Sequence, residues 1–197
     1  MADGLLRDSP SRADLMSMAL PLYYTAEMVR ALPEDGKRYE TVHGELLVTP
    51  APRLLHQDLV LRLARRLADY GEAVGLGHVM LSPADISWGD DILVQPDVFV
   101  ASLDEARTMK WSLVKSLLLA VEVLSPSSTR ADRFTKRRLY QEVGVPLYWV
   151  VDADERFVEV WTPETTFPHF EREVVTWHPT GARDPLRISL AELFKPL

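Results

Sequence analysis

Cysteine is absent from the 197-residue sequence, which excludes both a disulfide scaffold and a thiolate metal site. No apolar run reaches the roughly 20 residues that a membrane-spanning helix requires, and the amino terminus lacks the basic-then-apolar order of a signal peptide. The H-E-x-x-H spacing of zinc peptidases, a glycine-rich phosphate loop, a dinucleotide-binding fingerprint and a G-x-S-x-G elbow are missing too. We therefore expect a cytoplasmic protein that binds neither zinc nor membranes.

Basic residues are in deficit, because 22 Lys and Arg face 29 Asp and Glu and the formal net charge is −7. This charge argues mildly against a nucleic-acid ligand, since phosphate binding relies on Lys and Arg. An average can nevertheless hide a local basic face. Taken alone, each of two basic stretches is more typical of a solvated helix face: Arg62, Arg65 and Arg66, then Arg130, Arg133, Lys136, Arg137 and Arg138.

The chain reads as a loose tail over residues 1–20 and one domain over residues 21–197. Thr25 can cap a short helix over residues 26–32, and apolar spacings of three and four predict a long helix over residues 55–74. His43-Gly44 is a tight-turn signal between two predicted strands. The predicted strands span residues 38–42, 45–49, 78–87, 92–100, 117–124, 147–151 and 157–161, followed by less regular sequence.

The fold class follows from two almost wholly apolar strands, residues 117–124 and 147–151, on either side of a helix. Thr129 and Asp132 resemble a capping box that opens this helix, and Gly144 ends it. A strand-helix-strand unit of this kind makes a parallel pair, whereas the earlier strands, joined by short turns, are expected to be antiparallel. We predict an α/β protein with a mixed central sheet flanked by helices.

Glu122 is the most informative residue, because it interrupts a stretch that is otherwise built for the interior. Burying an unpaired carboxylate costs several kcal/mol or forces it to take up a proton. A cation or a group of hydrogen-bond donors would remove that cost. The structural alternative is a pair with an arginine, or a side chain that points outward at a sheet edge.

Asp97 is a second charge within an apolar strand, and Pro96 before it indicates that the strand lies at an edge or is distorted there. Two carboxylates a few ångströms apart repel each other unless a hard cation lies between them. Mg²⁺ is the natural candidate, because it takes oxygen ligands and keeps several waters. Asp97 and Glu122 are therefore a candidate metal pair.

Lys136 shares one helix face with Leu139, Tyr140 and Val143, and this face is expected to pack on the sheet. A lysine there could reach Glu122 and either stabilise charge that develops on a phosphate or orient the attacking water. Two alternatives stay open: an amine that reaches solvent, and a pair with Asp132.

Three further residues are ambiguous. His56 falls on the apolar face of the long helix, where it is either a core histidine or a contact to phosphate or water. Glu40 and Glu45 lie on the first two strands, and either can supply a further carboxylate. We count Glu45 and His56 among the candidate catalytic residues.

Several motifs resemble a known bacterial family, the "putative restriction endonuclease" family of the PD-(D/E)XK nuclease superfamily, much expanded in cyanobacteria. The resemblance covers roughly residues 23–161. The motifs, in chain order, are Arg38-Tyr39-Glu40, Gly44-Glu45-Leu46, His56-Gln57, Gln95-Pro96-Asp97, the stretch from Val121 to Ser128, the trio Asp132, Lys136 and Tyr140, and the stretch from Gly144 to Asp152.

The resemblance implies that Asp97 and Glu122 bind the metal and that the carbonyl of Val123 adds a ligand. Leu124 occupies the position of the superfamily's lysine, and Lys136 fits a lysine relocated to the following helix. The implied cofactor is Mg²⁺, for which Mn²⁺ can substitute. Arg133 and Arg137 are candidate DNA-binding residues, and a homodimer is expected by analogy with restriction enzymes.

Three functions compete at this stage. The first is a metal-dependent endonuclease that hydrolyses phosphodiester bonds in DNA. The second is a catalytically decayed member that binds nucleic acid or a protein partner without turnover. The third is a carboxylate-metal hydrolase of small phosphate esters, which would cleave a chromogenic phosphodiester but not a plasmid.

Overall fold

Apolar stretches and turns divide residues 23–197, which the computed structural model describes, into short strands and helices. The strands are β1 (Arg38–Val42), β2 (Glu45–Thr49), β3 (Gly77–Leu81), β4 (Ile86–Gly89), β5 (Ile92–Val94), β6 (Val98–Ser102), β7 (Leu117–Val123), β8 (Tyr148–Asp152), β9 (Phe157–Trp161), β10 (His169–Glu171), β11 (Val174–Trp177) and β12 (Leu186–Ser189). The α-helices are α1 (Ala26–Arg30), α2 (Leu54–Val74), α3 (Leu103–Ala106), α4 (Arg137–Glu142) and α5 (Leu190–Leu193).

A six-stranded mixed sheet in the order β10-β9-β8-β7-β6-β3 forms the centre of the fold. The two most apolar strands, β7 and β8, are parallel neighbours, and Glu122 pairs with Val150 in their register. The other neighbours in this sheet are antiparallel. The predicted strand-helix-strand unit and its parallel pair are therefore confirmed.

The predicted hairpin over residues 78–100 turns at Asp90-Asp91, but each of its arms is two strands rather than one. Its outer parts, β3 and β6, belong to the six-stranded sheet, while β4 and β5 join a second sheet of order β2-β1-β5-β4. Pro83 and Pro96 lie where the arms break, since proline cannot donate a ladder hydrogen bond. Asp97 thus lies between two strands. The edge alternative for its strand is wrong, because β6 runs between β3 and β7.

Helix α2 covers one face of the large sheet, as its periodicity predicts. His56, Leu59, Val60, Leu63 and Leu67 are buried. The helix ends at Gly75, whose φ of 66° is the left-handed conformation that glycine adopts most easily. Apolar residues of β11, β12 and α5 complete the core on this face.

The opposite face packs against α4 and the second sheet. Ala120 of β7 and Tyr148 and Val150 of β8 point to this side, while Val121, Val123 and Trp149 point toward α2. The α/β class, with helices on both faces of a mixed sheet, is confirmed. It follows from the same alternation that Glu122 lies on the α4 side.

Two regions differ from the predicted organisation or lie beyond it. The carboxyl-terminal part, expected to be less regular, contains β10, β11, β12 and α5. The tail predicted over residues 1–20 lies outside the described residues, and the domain bounds that go with it stay a prediction. In the part of the chain that the structure covers, no helix combines the length and the apolarity needed to cross a membrane.

Candidate active site

Ionisable side chains from five parts of the fold meet beside β7, in a group that we call the carboxylate cluster. Burial of so many charged groups is unusual, because an ion loses its hydration inside a protein. Its members come from β1, α2, the segment before β6, β7 and the segment before α4: Arg38, Glu40, His56, Asp97, Glu122, Asp132 and Lys136.

Glu122 is fully buried, with 0 % of its surface exposed. Its Oε1 accepts hydrogen bonds from Lys136 Nζ at 3.0 Å and from the Tyr140 hydroxyl at 3.3 Å. Its Oε2 has no hydrogen-bond partner within residues 23–197. Burial raises the pKa of Glu122 well above its usual range, and repulsion from neighbouring carboxylates adds to the effect of burial while Lys136 opposes it.

Lys136 lies among three carboxylates and is 1 % exposed, so the alternative in which its amine reaches solvent is wrong. Its Nζ is 2.8 Å from Glu40 Oε2, 3.0 Å from Glu122 Oε1 and 3.4 Å from Asp132 Oδ1. Burial opposes the charge of this amine, but the attraction of the three carboxylates outweighs it and raises the pKa of Lys136. The lysine is therefore a permanent cation inside the cluster.

The chain before α4 is wound as a π-helix over Ala131–Lys136, which we call the π segment. Its hydrogen bonds run from i to i+5, an arrangement that is rare and that occurs frequently at functional sites. Asp132 and Lys136 are both buried on this segment. The predicted capping box does not form, because the Thr129 hydroxyl donates to the Ser125 carbonyl at 2.9 Å and Asp132 faces Lys136 instead.

Asp97 receives donors on both carboxylate oxygens. Its Oδ1 accepts from Arg38 Nη1 at 2.8 Å, and its Oδ2 accepts from the Val123 backbone N–H at 2.9 Å and lies 3.0 Å from His56 Nε2. Burial alone would raise the pKa of Asp97, but the bond from His56 and the charge of Arg38 outweigh it and lower the pKa below the usual range. The backbone bond ties Asp97 to the residue that follows Glu122.

Of the two ambiguous glutamates, the structure brings Glu40 into the cluster and leaves Glu45 outside it. Glu40 is fully buried, and its Oε1 accepts from the Gln95 backbone N–H at 2.7 Å. Glu45 begins β2 opposite Val42, next to the tight turn, and its side chain is exposed. The role predicted for Glu45 is corrected on this ground, because a solvated carboxylate outside the cluster cannot take part in its chemistry.

Arg133 and Arg137, predicted to bind DNA, form contacts within the protein. Arg133 donates to Glu159 at 2.6 Å and to Asp152 at 2.9 Å. Arg137 donates to Gln141 at 2.7 Å and lies over the Trp161 ring, 4.8 Å from its centroid. These contacts hold both guanidinium groups against the protein, and the DNA-binding role predicted for them stays a prediction.

An open cleft of about 810 Å³ leads to the cluster. Its base includes Arg38, His56 and Asp97, whereas Glu122 and Lys136 lie behind these residues and do not line the cleft. Basic side chains are present on its walls: Arg30, Lys37, Arg38 and Arg53.

Arg38 is the member of the cluster to which the sequence analysis gives no role. It lies two residues before Glu40 on β1, so a strand period of two places both on one face. That spacing is the signal that could have identified it. Besides Asp97, Arg38 Nη1 contacts the Gln95 carbonyl at 3.2 Å and the Ser82 hydroxyl at 3.3 Å.

Comparison with known proteins identifies the family to which the chain belongs. A family described as "Putative restriction endonuclease" matches residues 26–186, most of the chain. The chain belongs to this family. No protein with a curated description matches the sequence.

A solved structure is similar to this restriction-endonuclease-like chain, the crystal structure of "a putative nuclease belonging to DUF820" from Anabaena variabilis. The two share 21 % sequence identity and a TM-score of 0.69, over 87 % of this chain and 97 % of that chain. At this identity the likeness shows the fold. The predicted family and fold class are both confirmed.

Proposed function

We propose that this protein is a divalent-metal-dependent endonuclease that hydrolyses phosphodiester bonds in DNA. Asp97, Glu122 and the carbonyl of Val123 hold the ion, which is Mg²⁺ with Mn²⁺ as a substitute. The proposal rests on one observation, the charge balance of the carboxylate cluster, together with membership of a nuclease family.

The charge balance of the cluster favours a missing cation. Four carboxylates, those of Glu40, Asp97, Glu122 and Asp132, share two permanent cations, Arg38 and Lys136. With all four ionised, two negative charges remain in excess inside a region from which water is largely excluded. Without another cation, Glu122 and Asp132 hold protons more tightly than usual, because burial raises the pKa of both. A divalent ion would cancel the excess.

The donor types fit a hard cation, since carboxylate and carbonyl oxygens are the ligands that Mg²⁺ prefers. Glu122 Oε2 is buried without a hydrogen-bond partner in the described part of the chain, and a bound ion would satisfy it. Within residues 23–197, however, no three His, Asp or Glu side chains stand ready to hold a metal. Arg38 occupies Asp97 Oδ1, so an ion at that oxygen requires Arg38 to shift, whereas Lys136 contacts Glu122 Oε1 and leaves Oε2 open.

The chain's own residues set up the reaction around that ion, which supplies Lewis-acid activation for phosphodiester hydrolysis when bound. His56 and the Val123 N–H fix Asp97 Oδ2. Lys136 holds Glu122 and Glu40 in place behind the cleft. Each of these side chains is held by a regular element or by a buried bond, which is the preorganisation that such chemistry needs.

The cleft favours a phosphate-containing substrate. Its walls carry Arg30, Lys37, Arg38 and Arg53, although the protein as a whole is acidic. Cations on the walls attract the phosphate backbone of a nucleic acid irrespective of its base sequence. Arg30 pairs with Asp85, Lys37 with Asp35 and Arg38 with Asp97, whereas Arg53 is exposed and has no salt bridge within residues 23–197, so Arg53 is the wall cation most available to a phosphate.

The proposal is tested by incubating the purified protein with supercoiled plasmid in Mg²⁺, Mn²⁺ or EDTA. We expect metal-dependent nicking by the wild type and by Asp104→Asn, an exposed carboxylate outside the cluster. Asp97→Asn and Glu122→Gln should not nick. Titration calorimetry of Mn²⁺ into the same proteins measures the ion site directly, and nicking that persists in both variants would refute the proposal.

A second candidate function is a decayed nuclease fold that binds nucleic acid or a protein without turnover. One observation favours it: Asp97 and Glu122 each already contact a cation of the protein. It predicts DNA binding by electrophoretic shift and no nicking with any ion.

Cleavage of a chromogenic phosphodiester but not of plasmid would favour a hydrolase of small phosphate esters. The homodimer stays a prediction, which light scattering tests.

A further inference from the structure

Arg38 lies at the boundary between the cleft and the carboxylate cluster. Its side chain is 20 % exposed and lines the cleft, while its guanidinium reaches Asp97 Oδ1 at 2.8 Å. No other cation of the described residues contacts this oxygen, since His56 and the Val123 N–H both address Oδ2. Arg38 therefore occupies one of the two oxygens of the Asp97 carboxylate.

A metal ion at Asp97 Oδ1 would compete with Arg38, because two cations beside one oxygen repel each other. The contacts on Oδ2 raise no such conflict, since a backbone amide is neutral and a histidine ring can be. The ion therefore has to compete with Arg38 but can leave Val123 and His56 in place. The competition explains why the cluster has the chemistry of a metal site without the open geometry of one.

The remaining contacts of Arg38 are weak enough to be given up. Its Nη1 contacts two neutral acceptors, the Gln95 carbonyl at 3.2 Å and the Ser82 hydroxyl at 3.3 Å, and its Nε is 3.9 Å from Glu40 Oε2. A displaced guanidinium would find its nearest open volume in the cleft. Its planar fork matches the geometry of a phosphate group.

We infer that Arg38 is a positioning residue that holds the metal's place on Asp97 in the metal-free protein and, once displaced, binds a phosphate of the substrate in the cleft. This inference rests on the proposed function, since it requires an ion at Asp97. It assigns one side chain two successive anionic partners, a carboxylate and then a phosphate. Metal binding and substrate binding are then coupled through Arg38.

The sign of a metal-binding experiment separates this role from a purely structural one. Mn²⁺ is titrated calorimetrically into the wild type, Arg38→Gln and Arg30→Gln. Arg30 lines the same cleft but pairs with Asp85, so its variant controls for the loss of a nearby positive charge. We expect Arg38→Gln to bind Mn²⁺ about tenfold more tightly, the change that follows from losing one competing charge-assisted hydrogen bond. Arg30→Gln should bind like the wild type.

The second half of the inference is tested with a short DNA duplex in Ca²⁺ and in EDTA, by fluorescence anisotropy. Ca²⁺ should strengthen DNA binding by the wild type, because it displaces Arg38 toward the phosphates. In Arg38→Gln this gain should be smaller, although the variant binds Mn²⁺ more tightly. Arg30→Gln should keep the ratio of the two affinities that the wild type shows.

The outcomes distinguish a failure of the inference from a failure of the proposed function. If the wild type binds Mn²⁺ and Arg38→Gln binds it equally or more weakly, Arg38 supports the site and the inference is overturned alone. If the wild type binds no Mn²⁺, both fall together. Circular dichroism establishes that Arg38→Gln is folded. Should it not be, Arg38→Lys, which keeps one charge with fewer donors, should bind Mn²⁺ more tightly than the wild type by a smaller factor, and equal or weaker binding would overturn the inference.

Discussion

The carboxylate cluster and a second group of charges on the same sheet solve the problem of buried charge in different ways. The second group, which we call the Arg133 cluster, consists of Arg133, Asp152 and Glu159. Arg133 bridges the two carboxylates, Trp161 Nε1 donates to Glu159 Oε2 at 3.2 Å, and the Glu155 N–H donates to Asp152 Oδ1 at 2.9 Å. Every carboxylate oxygen of this cluster thus has a donor.

The carboxylate cluster is not closed in this way. Its ratio of carboxylates to cations is the same, but it is more deeply buried, and Glu122 Oε2 is left without a donor among the described residues. Native proteins rarely leave such an atom unpaired, and each case calls for an explanation. The hydrogen bonds of the Arg133 cluster are all supplied by the protein, whereas the carboxylate cluster has an oxygen that a partner from outside the chain would satisfy.

The largest expected effect is the loss of activity in Asp97→Ala and Glu122→Ala, which would set the carboxylate cluster apart from the Arg133 cluster. A bound ion contributes several kcal/mol to the transition state, so we expect nicking to fall by on the order of 10³-fold. Plasmid nicking with equal protein and saturating Mn²⁺ measures it. Equal activity in the two variants and the wild type would make the carboxylate cluster as structural as the Arg133 cluster.

Removing Lys136 should have the next largest effect. Lys136→Met keeps the length of the side chain but leaves Glu40, Glu122 and Asp132 without their shared cation. Breaking a buried pair on one side costs about 3–5 kcal/mol, so we expect a much lower midpoint in urea denaturation, followed by tryptophan fluorescence. A bound divalent ion should restore part of this loss, and no response to Mn²⁺ would contradict the assignment of the excess charge to a metal.

The pH dependence of stability sharpens the comparison in metal-free protein. A carboxyl group whose pKa is higher in the folded state, as burial makes that of Glu122, holds its proton more tightly there. The wild type should therefore lose stability as the pH rises above the ordinary glutamate value of about 4.3. Glu122→Gln lacks this loss, so its stability relative to the wild type should increase between about pH 5 and about pH 8. Thermal unfolding in EDTA at both pH values measures the difference, and a constant difference would contradict it.

A smaller effect is expected in the Arg133 cluster. Glu159→Gln weakens its bond to Arg133, which is partly exposed, so the free energy of unfolding should fall by about 1 kcal/mol. Metal-dependent nicking should stay at the level of the wild type, since this cluster has no oxygen to offer an ion. Urea denaturation and plasmid nicking measure the two quantities. A loss of nicking with unchanged stability would reverse the roles of the two clusters.

The smallest effect is expected for Glu45→Gln. The side chain is exposed on β2, and surface substitutions of this kind usually change stability by less than about 0.5 kcal/mol. Nicking should remain within about twofold of the wild type, a change in rate that corresponds to about 0.4 kcal/mol. Glu45→Gln is a useful control because Glu40→Gln, the same substitution on the neighbouring strand, should strongly reduce nicking.

Sequence periodicity predicts the parts of the fold whose environment is uniform. The 3.6-residue spacing in α2 and the unbroken apolar runs of β7 and β8 each determine one element. The division of the residue 78–100 hairpin between two sheets cannot be read this way, because it depends on strands far away in the sequence. Pro83 and Pro96 are its only local sign.

The candidate site was predictable to a similar extent. Glu122 and Asp97 are charges in apolar strands, and such contradictions are visible in a sequence. Choosing between Glu40 and Glu45 required the register of β1 and β2 and the position of the turn between them. The role of Arg38 was hidden, because an arginine near a strand end is ordinary until its partner is known to be Asp97.

The π segment affects the direction in which the side chains of its helix point around the helix axis. An α-helix turns about 100° per residue, whereas a π turn closes one residue later, so the segment Ala131–Lys136 contains one residue more than the same turn of α-helix would need. Because the π turn absorbs that extra residue locally, the residues before and after the segment keep the phase that they would have in an α-helix one residue shorter. A helix that packs on a sheet can thus take up an insertion of one codon without turning the side chains beyond it away from that sheet.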